Sequence, residues 1–402
     1  MTTTAGPHGI CDARFAAVRH AFAQNLERGG DVGAAVCVYV DGRAVVDLWG
    51  GFADAARTQP WARDTIVSVA STTKGMTSLC AHVLVERGRL DLDAPVARYW
   101  PEFARGGKES IPVCWLLSHR AGLPAVRRDL ATEALFDWNA FTAALVATDP
   151  WWEPGTRHGY HSRTFGYLVG EVIRRVAGQT VGQFLRTEVA GPLGAEFYIG
   201  VPASEDARAA EILAPRRLAS SEPTRFERLA QDPASMAARA FFNPSSPPDV
   251  LNTRAWRAAE IPASNGHTTA RAVARIYGAL AAGGALDGVR LLRASTIDAA
   301  IVEQSRGGDA ILGVPSRFAL GFMLPLREHF LEFGFGPQPF GPSPRAFGHW
   351  GMGGSVGFAD LDGRVGFGFV MNQQKAGTPE NPDPRWPSLV DAVYASLGRP
   401  GA

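Results

Sequence analysis

Two stretches near opposite ends of the 402-residue chain constrain its fold most. Gly33 to Trp49 reads GAAVCVYVDGRAVVDLW, two β-rich runs around Asp41-Gly42. Asp-Gly is a turn pair favoured in a tight hairpin. Ser355 to Gln373 reads SVGFADLDGRVGFGFVMNQ and repeats the pattern around Asp362-Gly363. Two hairpins so far apart predict one sheet assembled from both, with the middle of the chain as a large insertion. The middle has its own signals. Ser71 to Arg87 carries Met76, Leu79, Cys80, Val83 and Leu84 at helical spacing. Phe165 to Ala177 predicts a second helix, stopped by Gly178, and Ala270 to Ala282 a third. The expected layout is α+β: an antiparallel sheet flanked by helices from residues 1–70 and 285–402, and a mostly helical domain from 71–284. From 204 to 262 the periodicity fades around Glu222-Pro223, Asn243-Pro244, Pro247-Pro248 and Ile261-Pro262. Such a stretch reads as a binding lid or a mobile loop.

Composition narrows the function classes. Lys plus Arg is 40 and Asp plus Glu 39, a formal net charge of +1. This gives no bulk reason to bind nucleic acid or an anionic membrane. The apolar share of 46% and charged share of 20% are ordinary globular values and exclude disorder or a coiled coil. The four cysteines Cys11, Cys37, Cys80 and Cys114 form no CxxC and have no His at ligand spacing, so buried free thiols are expected rather than zinc or a redox motif. The start, MTTTAGPHGICDARF, lacks a basic segment followed by an apolar run. No stretch approaches the roughly 18 apolar residues of a membrane span. A cytoplasmic location is therefore expected.

The sharpest chemical signal is Ser71-Thr72-Thr73-Lys74, in a chain with only three lysines, Lys74, Lys108 and Lys375. Three residues is about one helical turn, so Ser Oγ and Lys Nζ can meet on one face. A serine hydroxyl needs a base to become a nucleophile, and a lysine can serve once burial has removed its charge. A serine at a helix start also has backbone N–H groups close by for an oxyanion. A second signal is Pro154-Gly155 followed by Tyr160-His161-Ser162, with a helix after it. The third is the glycine-dense Gly348-His349-Trp350-Gly351-Met352-Gly353-Gly354, where a substrate could approach the backbone of an edge strand. Gly353-Gly354-Ser355-Val356-Gly357 matches G-x-S-x-G, but the residues after it read as strand, not the helix that a nucleophile elbow requires. Ser355 is therefore read as a decoy. Trp138, Trp151, Trp152, Phe241, Phe242 and Trp256 are candidates for an apolar pocket, with core packing the commoner use of each.

Taken in order, the three motifs resemble the class C β-lactamase-like serine hydrolases, and within them the family VIII carboxylesterases. Gly88 to Val96 and Leu116 to Leu123 resemble further segments of that family. The resemblance implies a penicillin-recognising fold with the site between sheet and helical domain. It implies Ser71 as the acylated nucleophile, Lys74 assisting its deprotonation, and Tyr160 as general base and then acid. The N–H groups of Ser71 and Met352 would form the oxyanion hole, and Ser162, His349, Trp350 and Gly351 would contact substrate; of the aromatic candidates near the motifs, Trp152 and Phe242 are expected to join them. No metal or organic cofactor is implied; the partner is a small-molecule ester, and the oligomeric state stays open. Two departures matter. Ser162 stands where many β-lactamases have an Asn, and His349 where they have a Lys. A histidine is mostly uncharged at neutral pH and offers no fixed charge to a β-lactam carboxylate. Both departures favour neutral esters. Rival readings are an amide, β-lactam or peptide hydrolase, an acyltransferase, and a non-catalytic binding protein that keeps the fold.

Overall fold

The computed structural model describes residues 6–28, 30–215, 225–247, 249–375, 377–378 and 381–399. Residues 1–5 and, in the irregular stretch, Glu222, Pro223 and Pro248 lie outside these.

The two hairpins meet as their sequences predict. Strands Gly33–Val40 and Arg43–Gly51 pair antiparallel, and both Asp41 and Gly42 of the turn have positive φ, 50° and 75°. That is the backbone an Asp-Gly hairpin turn adopts. Strands Val356–Asp360 and Val365–Met371 form the second hairpin. Its turn is longer than the Asp362-Gly363 pair suggests: the left-handed residue is Arg364, and Asp360 Oδ1 accepts from the N–H groups of Asp362 and Gly363. The hairpins join directly, Val40 opposite Val365 and Ala34 opposite Met371. His8–Cys11 and Ala346–Trp350 complete a six-stranded antiparallel sheet as its edges.

The alternation in Val365–Met371 explains how the sheet is covered. Phe367 and Phe369 enter the core shared with helices Ala16–Glu27 and Arg385–Ser396. Gly366 and Gly368 face the other way, toward helix Ala270–Ala281. A Cβ at Gly366 would meet Gly278 N at 2.3 Å, so glycine lets this helix lie against the sheet backbone. The domain division expected from sequence groups residues 270–284 with the helical part; their packing puts this helix in a layer on the sheet.

The other helices appear close to where the periodicity puts them. The first spans Thr73–Glu86, preceded by a 3-10 turn over Ala70–Thr72. The second spans Thr164–Ala177 and ends at Gly178 in the left-handed conformation, φ 75°. These two helices pack on each other in the large core beyond the sheet. The stretch from 204 to 262 contains short helices at Arg225–Ala230, Met236–Phe242 and Arg254–Ala258. Among the described residues no helix is long and apolar enough to cross a membrane.

Candidate active site

Ser71 sits between two elements that hold it from both sides. Strand residue Ser68 pairs with His267, and Val69 N donates to Gly266 O at 2.8 Å. Ala70 then takes φ 44°, a strained value for a residue with a Cβ. The chain turns there into the helix that begins at Thr73. Ser355 Oγ donates to Val69 O at 2.7 Å and lies 3.0 Å from Thr72 Oγ1. Ser355 is buried and engaged as a bracket for the turn that carries Ser71.

Lys74 is fully buried one turn on. Its Nζ lies 3.2 Å from Ser71 Oγ and 3.0 Å from Ala263 O. Burial first, and then the charge of Arg163, hold its pKa well below the ordinary lysine value. Lys74 Nζ stands 4.8 Å from the centroid of the Tyr160 ring. Tyr160 N donates to Asp309 Oδ1 at 2.9 Å. That oxygen also accepts from Ile311 N and Leu312 N, while Oδ2 accepts from Ser316 Oγ. The Asp309 carboxylate therefore ties the tyrosine to the loop at 309–312. Burial pushes the Tyr160 phenol up, and its hydrogen bond with Ser71 offsets part of the rise.

His349 is buried, with Nδ1 donating to Trp350 O at 2.7 Å and Nε2 without a partner among the described residues. Burial first, and the charge of Lys74 second, push its pKa down to about 3. It is neutral at physiological pH. Beyond it the strand ends in a turn closed by Gly351 N donating to Ser355 O at 2.7 Å. A Cβ at Gly351 would come within 2.3 Å of Val69 O, so only glycine brings the Met352 segment against the Ser71 turn. Arg385 anchors the next residue by donating to Gly353 O at 2.7 Å.

These groups face one cavity of about 170 Å³. Ser71, Tyr160, Ser162, His349, Trp350, Met352 and Phe242 line it. Gly351 does not line it, contrary to the expectation: it packs in the turn against Val69 O. Trp152 does not belong to it, contrary to the expectation. Its ring meets His161 edge-on, with centroids 6.0 Å apart, and stacks beneath Arg157. Trp138 and Trp151 are likewise taken up by hydrogen bonds to Glu171 and to Ala125 O. The irregular stretch supplies much of the apolar wall: Ile212, Phe241, Leu251 and Trp256. The sequence motifs single out none of Arg163, Ser246 and Asp309. Arg163 directly follows the Tyr160 motif, and that adjacency is the one available signal; Asp309 has none.

The fold is the β-lactamase/transpeptidase-like one, a mixed helical and antiparallel-sheet architecture. The chain belongs to the beta-lactamase family, whose family model matches residues 18–391. It is similar to the esterase/beta-lactamase LipL of Mycobacterium tuberculosis, 37% identical over 369 residues, covering 91% of this chain and 82% of LipL. Among solved structures, a family VIII carboxylesterase is 42% identical with a TM-score of 0.87, over 97% of this chain and all of that one (100%). A penicillin-binding protein homologue from Caulobacter crescentus is 41% identical with a TM-score of 0.86, over 97% and 100%.

Proposed function

We propose that the protein is a serine carboxylesterase that forms a covalent acyl-enzyme on Ser71. The observation that carries this reading is the pair of Lys74 Nζ and Ser71 Oγ at 3.2 Å, with the lysine fully buried. Among the described residues no carboxylate is ion-paired with Lys74, so nothing offsets the burial that favours its neutral form. A neutral amine can take the Ser71 proton as Oγ attacks the ester carbonyl. The amides of Ser71 and Met352 hold the oxyanion. Tyr160, kept as a phenol, gives its proton to the departing alkoxide and regains one from the Lys74 ammonium. Water then cleaves the acyl ester on Ser71 by the same route. The resemblance implied Tyr160 as the first base; the upward push on its phenol favours Lys74 in that step and leaves Tyr160 the acid. Names of relatives support an ester as substrate: LipL is called an esterase/beta-lactamase, and the 42%-identical structure a carboxylesterase.

A β-lactam hydrolase shares this acylation apparatus, but the neutral His349 offers no charge to a β-lactam carboxylate. Nitrocefin turnover is expected to be far slower than that of a short-chain ester. The deciding experiment compares Ser71→Ala with Ser355→Ala on ethyl pentanoate. Loss of about 10³-fold or more is expected for Ser71→Ala, as for removal of a covalent nucleophile. Ser355→Ala should keep most activity in the folded protein and lower thermal stability by about 1 kcal/mol through loss of its hydrogen bond. Turnover that survives Ser71→Ala and disappears with Ser355→Ala would reverse the assignment.

A further inference from the structure

Arg163 lines the same cavity as Ser71 and has no assigned role. It is the N-cap residue of helix Thr164–Ala177, where the helix dipole already presents positive charge. Nη2 donates to Ser246 Oγ, itself a cavity residue. Nη1 is buried and has no hydrogen-bond partner among the described residues. Of the described residues lining the cavity, Arg163 alone carries a formal charge, and none is acidic. The other basic group near it is Lys74. Arg163 is half-buried, and taking a cation even partly out of water is costly unless it is paired. Burial lowers even the guanidinium pKa, to about 10. An anion entering the cavity would meet the Arg163 guanidinium and a helix N-terminus, with no competing carboxylate among the described lining residues. Guanidinium is shaped to bind carboxylate.

We propose that Arg163 is a specificity residue that binds a carboxylate carried by the ester substrate, so that the enzyme prefers monoanionic esters with a short apolar chain. Phe241, Phe242, Leu251 and Trp256 supply the wall for that chain. The expectation of neutral esters rests on Ser162 and His349; the cation of this cavity stands at another position. The proposal rests on the reading of the site as an ester hydrolase and deepens it.

The test is a pH-stat comparison of matched esters. Monoethyl succinate, glutarate and adipate carry the charge on the acyl side, and 4-acetoxybutanoate carries it on the alcohol side. Ethyl butanoate, pentanoate and hexanoate, with butyl acetate, are the neutral partners. At least one anionic ester should exceed its partner in kcat/KM by about tenfold or more, the scale of a charged hydrogen bond. Arg163→Gln should erase that ratio, and Arg163→Lys should restore part of it. The ratio is the diagnostic readout, because any effect of Arg163 on Lys74 acts on both esters alike. Neutral esters turned over with no anionic preference on either side would overturn the proposal and leave the esterase reading intact. An anionic preference unchanged in Arg163→Gln would also overturn it. If wild type cleaves no ester, the esterase reading fails, and calorimetric titration of Ser71→Ala decides the proposal. The succinic acid monobutylamide anion should then bind more tightly than butanoic acid butylamide, and adding Arg163→Gln should remove the difference. Equal binding would overturn it.

Discussion

Two arginines flank the turns that carry Ser71 and Met352, Arg385 buried and Arg163 half-buried, and they are treated in opposite ways. Arg385 uses all five of its N–H donors. It bonds Asp383 twice, Asp31, Gln373 O and Gly353 O, at 2.7 to 2.8 Å. Its pKa rises, because the pull of two carboxylates exceeds the cost of burial. Arg163 has a hydroxyl partner and one empty donor, and its pKa falls. The first arginine is a strut: it fixes the backbone that presents Met352. The second is a charge with no acidic partner among the described residues, beside a lysine whose pKa burial holds down. Full pairing goes with rigidity, and missing pairing marks the place where chemistry or ligand is to supply the rest.

Lys74→Met is the strongest way to break this comparison. On the unpaired side it should abolish acylation by about 10³-fold, measured in single turnovers. Stability should stay level or rise, because the folded chain no longer hides a group that the unfolded chain would hold protonated. The sign comes from linkage. Below the ordinary lysine pKa the unfolded state binds a proton that the folded state has released, so Lys74 costs stability there. That cost shrinks as pH rises toward the ordinary value. Activity of the wild type should fall on acidification, as Lys74 takes up its proton and ceases to be a base. A Lys74→Met protein less stable than wild type across neutral pH would mean that the lysine is a strut too.

Arg385→Met should show the reverse pattern. It leaves Asp31 and Asp383 buried without their cation, a loss of about 3–5 kcal/mol by analogy with broken buried pairs. Denaturant midpoints check this. Turnover measured where the variant is still folded should drop as well, since Gly353 O loses its anchor beside Met352. A small stability change would show that the clamp relaxes without Arg385.

The smallest effect concerns Asp31. Burial outweighs the attraction of Arg385 and lifts its carboxyl from 3.8 to about 6. Between those values the folded chain holds a proton that the unfolded chain has given up. Its contribution to stability therefore falls as pH rises through that window. Asp31→Asn should flatten the pH dependence of unfolding between about 4 and 6. An unchanged slope would place the titration on another group.

Much of this architecture was legible in the chain, for identifiable reasons. Asp41-Gly42 is a local code for a hairpin turn, and Gly178 one for a helix end; neither depends on distant residues. Ser71 and Lys74 are one turn apart, so their meeting needs only a helix. Local periodicity could not tell that helix Ala270–Ala281 lies on the sheet, because its apolar face is the same whichever core receives it. Nor could it tell Trp152 from Trp256, both aromatic and both buried, of which only the second lines the cavity.

What the amino-acid order determined alone is what short-range geometry determines: hairpins, helix limits, and the serine–lysine pair. Tertiary structure decided everything that depends on which surfaces meet. It brings Asp309 under Tyr160 across 149 residues and Ser355 to Val69 across 286. It also shifts the charge equilibria. Lys74, His349 and Arg163 carry ordinary ionisable groups in sequence, and only burial, with the neighbours that folding supplies or withholds, pushes all three pKa values down and leaves Arg163 without an acidic partner among the described residues.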